Sequence, residues 1–314
     1  MKTALVTGAA GFVGRHLVRE LRDAGWTVVG LDLADGAPDA DLFERGSVED
    51  AAAIRRAIER HRPDACVHLA GIASDAAAWK DPARAFAINV GGTLNVLAEM
   101  ARGAPESRTL VVSTAHIYGA PTRPGALDEE EPPRPNSLYG LTKLAADHAT
   151  LLFADRERRA ALTVRPVNHI GPGQSPDFVM AAFARQLAEI AAGIRPPELR
   201  VGNLESVRDF MDVRDTVRGY RLLLERGAAG RAYNMASGIR RRIGEALDRL
   251  CAVAGLRPRI VTDPALYRPT DASPELSTER LRNDTGWRPE IPLDQTLRDI
   301  YEDAQTRASA SQGR

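Results

Sequence analysis

The chain has 314 residues, 44% hydrophobic and 27% charged, enough for one large or two modest domains around a real core. Its 42 basic and 42 acidic residues cancel to a formal net charge of zero, so the balance gives no electrostatic reason to expect a nucleic-acid partner. The opening MKTALVTG is too short and polar for a signal peptide and no run approaches the ~20 apolar residues of a membrane span, so no membrane association and a cytoplasmic location are expected.

The first strand-like run, 2–7, leads into TGAAGFVG (7–14) and a helix-like segment near 12–24. Gly8 and Gly11 allow a tight turn and close backbone approach to a pyrophosphate, and Gly14 allows close packing of helix on strand. The next strand-like run, 27–32, ends on Asp32, 18 residues past Gly14, where a carboxylate accepts the adenosine ribose hydroxyls of a dinucleotide. It would repel a 2′-phosphate, and the LADG that follows has no cation to hold one, so NAD(H) is the favoured cofactor and NADP(H) the alternative.

Further along, a helix-like segment near 50–61, a strand at 65–70, a helix near 82–103, a strand at 108–114, a helix near 137–155 and a strand at 161–165 continue the alternation. Nearly continuous apolar strands between amphipathic helices predict an α/β fold with a doubly wound parallel sheet. The acidic, proline-rich stretch 120–136 reads as an exposed loop. Helices are expected near 176–193, 213–226, 243–254 and 293–308, with Ser175 and Pro176 opening the first of them as an anion-friendly N-terminus. Cys66 and Cys251 are far apart and the six histidines lack ligand spacing, so neither a disulfide nor a metal site is expected.

Two positions stand out chemically. Tyr139 and Lys143 lie four apart on one helix face, opening the helix that follows the strand ending near Thr114. An ammonium there would lower the tyrosine pKa and reach ribose hydroxyls. Only three of the 42 basic residues are lysine, so a lysine at this place is notable. Thr114 can hold a substrate oxygen while Tyr139 exchanges a proton with it, a transfer worth ~10²–10⁴ in rate.

TGAAGFVG, Asp32, HLAG (68–71), NVGGT (89–93), Thr114, and Tyr139 with Lys143 together resemble the extended short-chain dehydrogenase/reductase family over essentially the whole chain. The resemblance implies a dinucleotide-binding Rossmann domain over 1–165, rejoined by 205–240, a smaller mixed α/β nucleotide-sugar domain over 166–204 and 241–314, and a homodimer formed through the helices at 82–103 and 137–155. Cofactor contacts implied for this chain are Gly8, Gly11, Phe12, Val13, Gly14, Asp32, Ser47, Val48, Leu69, Ala70, Gly71, Tyr139 and Lys143. Ser47 stands where the family usually has an aspartate.

The stretches 165–179, 201–215, 267–271 and 285–293 are similar to the GDP-4-keto-6-deoxy-D-mannose reductases of that family, which form GDP-D-rhamnose. That likeness implies substrate contacts from Thr114, Asn168, Arg185, Arg208, Arg268 and Asp271. Related dehydratases carry Asp or Ser and then Glu after the threonine, whereas this chain has Ala115 and His116. Alanine cannot transfer a proton, so C4 reduction with NAD(P)H is expected over dehydration. A 4-epimerase that retains NAD, and a dinucleotide sensor without catalysis, are the alternatives.

Overall fold

The computed structural model describes residues 2–120, 124–267 and 273–312. The apolar runs of its first half form strands, in the order β1 (Thr3–Thr7), α1 (Phe12–Asp23), β2 (Thr27–Asp32), β3 (Leu42–Arg45), α2 (Ala51–His61), β4 (Ala65–His68), α3 (Asp75–Lys80), α4 (Pro82–Phe86), α5 (Gly92–Gly103), β5 (Arg108–Val112), α6 (Leu138–Glu157) and β6 (Ala161–Pro166). The rest adds β7 (Asn168–Ile170), α7 (Val179–Ala191), β8 (Glu198–Val201), β9 (Val207–Asp212), α8 (Val213–Arg226), β10 (Ala232–Met235), β11 (Arg240–Arg242), α9 (Ile243–Ala254), β12 (Arg259–Thr262), α10 (Glu279–Thr285) and α11 (Leu293–Gln312).

Two units result. The first gathers Met1–Val167, Thr216–Ala236 and Pro274–Arg288, and the second gathers Asn168–Asp215, Ser237–Ser273 and Pro289–Arg314. In the first unit seven strands pair in parallel in the order β10-β6-β5-β4-β1-β2-β3, the doubly wound Rossmann-like arrangement expected. Its central strands are buried on both faces, which is why they read as unbroken apolar runs. Leu5, Val29, Ile54, Ile58, Val96 and Met100 form part of its core.

The second unit holds a three-stranded sheet, β11-β9-β7, and a β12-β8 pair. Met180, Phe183, Leu187, Leu247, Leu250, Leu297 and Ile300 from α7, α9 and α11 build its own apolar core.

Several local expectations are corrected. Residues 82–103 are not one regular helix, because a wide π turn at Ala87–Gly91 separates α4 from α5. The helix expected from Ser175 begins at Val179 instead, because Ser175 accepts the Asp177 N–H and donates to its carboxylate, closing a turn. Stretch 120–136 is not simply exposed. Leu127 is buried and bridged to Leu276, and the Glu129 carboxylate accepts the Asn234 N–H and pairs with Arg280. These contacts also place 274–288 in the first unit rather than the second, with Trp287 fully buried against Gly219. No helix among the described residues is long and apolar enough to cross a membrane, and none of their His, Cys, Asp and Glu groups could hold a metal.

Candidate active site

At the end of β1 the chain must turn sharply into α1, and Gly8 does so with φ +72°, a value that favours glycine. A Cβ on Gly8 would also approach the Ala70 nitrogen to 2.9 Å, and one on Gly14 would collide with the Gly8 carbonyl. Gly11 is the N-cap and offers no side chain, which leaves the α1 N-terminus as bare backbone donors beside Phe12 and Val13. Asp32 braces this turn, its carboxylate accepting the Ala10 N–H at 3.0 Å and the Ala34 N–H at 3.1 Å. The cradle therefore suits a dinucleotide.

Around it, Val48 is buried against Gly92 with its carbonyl accepting from Asn95, and Ser47 is tied to Glu49. Leu69, Ala70 and Gly71 follow β4, and the absence of a Gly71 side chain makes room for the Asn89 amide and the Lys143 ammonium. One cation escaped the sequence reading. The parallel pairing of β2 with β3 sets Arg45 opposite Asp32, where it forms an ion pair with Asp35 at 2.9 Å.

The reacting end is built by a cap and a close packing. Ser137 caps α6 by accepting the Gly140 N–H, which fixes Tyr139 in the first turn and Lys143 one turn on. Thr114 ends the β5 segment and caps a short 3₁₀ turn over Ala115–Tyr118. The two segments touch at Gly140, where a Cβ would stand 2.9 Å from the His116 carbonyl oxygen. In consequence the Thr114 side chain hydrogen-bonds the Tyr139 hydroxyl, and the His116 ring meets the Tyr139 ring edge-on at 6.0 Å. Asp75 of α3, also missed in the sequence, accepts the Tyr139 backbone N–H at 3.2 Å.

Burial decides the protonation states here. It pushes the Tyr139 phenol up to about 12, against the Thr114 hydrogen bond, so the expected lowering by Lys143 does not appear. It brings the Lys143 ammonium down to about 8, against the attraction of Asp147. The Asp147 carboxylate is itself held by two hydrogen bonds from the buried Arg165 guanidinium, at 2.8 and 3.1 Å.

In the second unit Asn168 opens β7 and pairs in register with Phe210 on β9, two residues past Arg208. Arg208 donates to the Val207 carbonyl, while Arg185 is exposed on α7, 3.6 Å from Glu189. Arg268 and Asp271 lie outside the described residues. Thr114, Tyr139, Lys143 and the glycine cradle all belong to the first unit.

Residues 4–236 match the model of the NAD dependent epimerase/dehydratase family. A GDP-6-deoxy-D-mannose reductase of Pseudomonas aeruginosa is 37% identical over 306 residues, covering 96% of this chain and 97% of that protein. A dTDP-glucose 4,6-dehydratase of Xanthomonas campestris is 30% identical, over 95% of this chain and 91% of that protein. Among solved structures, RMD from Pseudomonas aeruginosa complexed with NADPH superposes with a TM-score of 0.87 at 34% identity, covering 98% of this chain and 100% of that one. A UDP-glucose 4-epimerase from Thermotoga maritima with UDP-glucose does so at 0.87 and 27% identity, covering 98% and 99%. A glycine cradle backed by a strand-end carboxylate, a threonine–tyrosine–lysine set and a family match over most of the chain agree, and the protein belongs to the NAD dependent epimerase/dehydratase family of NAD(P)-binding enzymes.

Proposed function

We propose that the protein reduces the C4 keto group of a GDP-linked 4-keto-6-deoxyhexose, using NAD(P)H. The observation that carries this reading is the pairing of Tyr139 beside Thr114 with an alanine, not a carboxylate or hydroxyl, directly after Thr114. Tyr139 keeps its phenolic proton, and the neighbouring position is the buried methyl of Ala115. Elimination across C5–C6 needs a further acid and base, whereas reduction needs only a hydride at C4 and a proton on its oxygen. The full-length likeness to a GDP-6-deoxy-D-mannose reductase supports the GDP-sugar.

The glycine cradle would hold the dinucleotide, whose chemistry when bound would be supply of the hydride. Thr114 holds the C4 oxygen, Tyr139 delivers its hydroxyl proton to that oxygen, and the Lys143 ammonium stabilises the phenolate left behind. Asn168, Arg208, Arg268 and Asp271 are assigned to the nucleotide-sugar, with Arg185 as an outlying contact. The Asp32 carboxylate supports NADH over NADPH, while Arg45 next to it provides a cation for a 2′-phosphate once released from Asp35. Exposed Leu94, Leu141 and Leu152 on α5 and α6 support a homodimer through these helices.

The test is to mix the protein with GDP-4-keto-6-deoxy-D-mannose, follow NADH and NADPH absorbance in parallel, and take an NMR spectrum of the product. Cofactor oxidation with a 4-hydroxy sugar is expected, and the spectrum fixes rhamnose or talose configuration at C4. No oxidation, together with NAD that survives purification and C4 inversion of a nucleotide sugar, would replace this reading with an epimerase.

A further inference from the structure

Within the HLAG and NVGGT motifs, His68, Asn89 and Thr93 have no part in either the cradle or the proton transfer. All three are buried, at 1–2% exposure, and so are Thr7 and Thr142, which are fully covered. Their hydrogen bonds can be oriented without ambiguity. The Thr93 hydroxyl donates to the Asn89 carbonyl at 2.6 Å, because a carbonyl only accepts. Having spent its proton, the Thr93 oxygen must accept from His68 Nε2–H at 3.1 Å. A neutral imidazole protonated at Nε2 has a bare Nδ1, which accepts the Thr7 hydroxyl at 2.7 Å, and the Thr7 oxygen in turn accepts the Ala70 N–H at 3.2 Å. On the other side, the Asn89 side-chain amide is fixed by Ile72. It accepts the Ile72 N–H at 2.8 Å and donates to the Ile72 carbonyl at 3.2 Å. Its Nδ2 also donates to the Thr142 oxygen at 2.9 Å, and the Thr142 hydroxyl donates to the Tyr139 carbonyl at 2.8 Å.

Five side chains from β1, β4, the π turn, α5 and α6 thus form one buried line of polar contacts. It begins at the residue before Gly8 and ends on the backbone of Tyr139. Both motifs lie on it, and the π turn has a reason. The wider turn at Ala87–Gly91 presents the Asn89 carbonyl to Thr93 while its side chain spans Ile72 and α6.

We propose that His68, Thr93 and Asn89 are positioning residues that fix the distance between the dinucleotide cradle and the Tyr139-bearing turn of α6. The assignment rests on the proposed proton-transfer role of Tyr139. Each member has one permitted direction of donation, so the line has a single low-energy arrangement, and a break anywhere leaves a buried donor or acceptor unpaired. Direct contact with substrate or cofactor is not part of the role.

Thr93 provides the cleanest test, since Thr93→Val keeps the shape and removes the hydroxyl, while Thr93→Ser keeps the hydroxyl. For wild type and both variants, NADH binding is titrated by fluorescence, amide hydrogen exchange is followed over 138–143, and turnover is measured. Thr93→Val is expected to bind NADH within about twofold of wild type, to exchange the α6 first-turn amides at least tenfold faster, and to lose at least tenfold in kcat. Thr93→Ser is expected to restore exchange and kcat. The inference is overturned if Thr93→Val leaves α6 exchange unchanged, if its kcat loss is matched by an equal weakening of NADH binding, or if Thr93→Ser is as damaged as Thr93→Val. Exchange and NADH binding need no sugar. If the wild-type protein fails to turn over the GDP-sugar, the substrate reading falls while the positioning role is still decided.

Discussion

Tyr139 and Lys143 share one helix face, yet burial moves both toward neutrality: the phenol holds its proton and the ammonium is ready to lose one. Tyr139→Phe should lower kcat by about 10²–10⁴ with an unchanged melting temperature, the signature of a lost proton donor rather than lost packing. Lys143 should give kcat/KM an alkaline limb beginning near pH 8, far below the 10.5 of an exposed lysine, and a pH–rate profile of Lys143→Met should lack it. Stability should run the other way. The unfolded chain holds this proton more tightly between about pH 8 and 10.5, so unfolding free energy rises with pH there as activity falls. His68 has the same sign in a lower window, burial and the Lys143 charge holding it down to about 3 against 6.5 when exposed. Its contribution is complete above 6.5 and drains away as pH falls toward 3, at up to about 1.4 kcal/mol per pH unit. Urea unfolding of His68→Gln should show a correspondingly flatter acid limb.

The junction of α6 with the turn after β5 depends on what is missing as much as on what is present. Gly140→Ala would drive a Cβ against the His116 carbonyl and should cost about 1–3 kcal/mol while separating Thr114 from Tyr139, visible as a lower melting temperature with a disproportionate loss of kcat. Ser137→Ala removes a cap and should cost about 0.5–2 kcal/mol in thermal unfolding. The long buried strands and the helices α2 and α6 were legible in the sequence because unbroken apolar runs alternate with segments of helical length. β3 was not, being a four-residue edge strand with its side chains half exposed, and neither were α3 and α10, at six and seven residues too short to show a period. The Tyr139–Lys143 pair and the glycine turn after β1 could be read from spacing, since helix geometry fixes positions four apart. The supporting contacts of Asp75 and Arg45 could not, because only tertiary pairing brings them to Tyr139 and Asp32.

Across the first unit, polar groups are buried where strands meet helix α6. Arg165 is held between Asp147, the Tyr118 hydroxyl and the Glu129 carbonyl, and Tyr118 donates on to Asn234 of β10. Asp147→Asn leaves a guanidinium uncompensated and should cost about 3–5 kcal/mol in chemical denaturation. Asn234 and Glu129 show how far apart in sequence the partners lie. Because the last strand of the large sheet, β10, arrives only after the second unit's first segment, Asn168–Asp215, and the helix α10 beside it only after most of that unit, a ribosome must release residues 232–288 before the nucleotide unit can close. Until then β6, six consecutive residues that are buried in the finished protein, is an open edge with a full row of unpaired backbone groups. A fragment ending at Val167 would therefore carry every glycine of the cradle and both Tyr139 and Lys143, and still be a sticky, aggregation-prone intermediate rather than a small stand-alone domain.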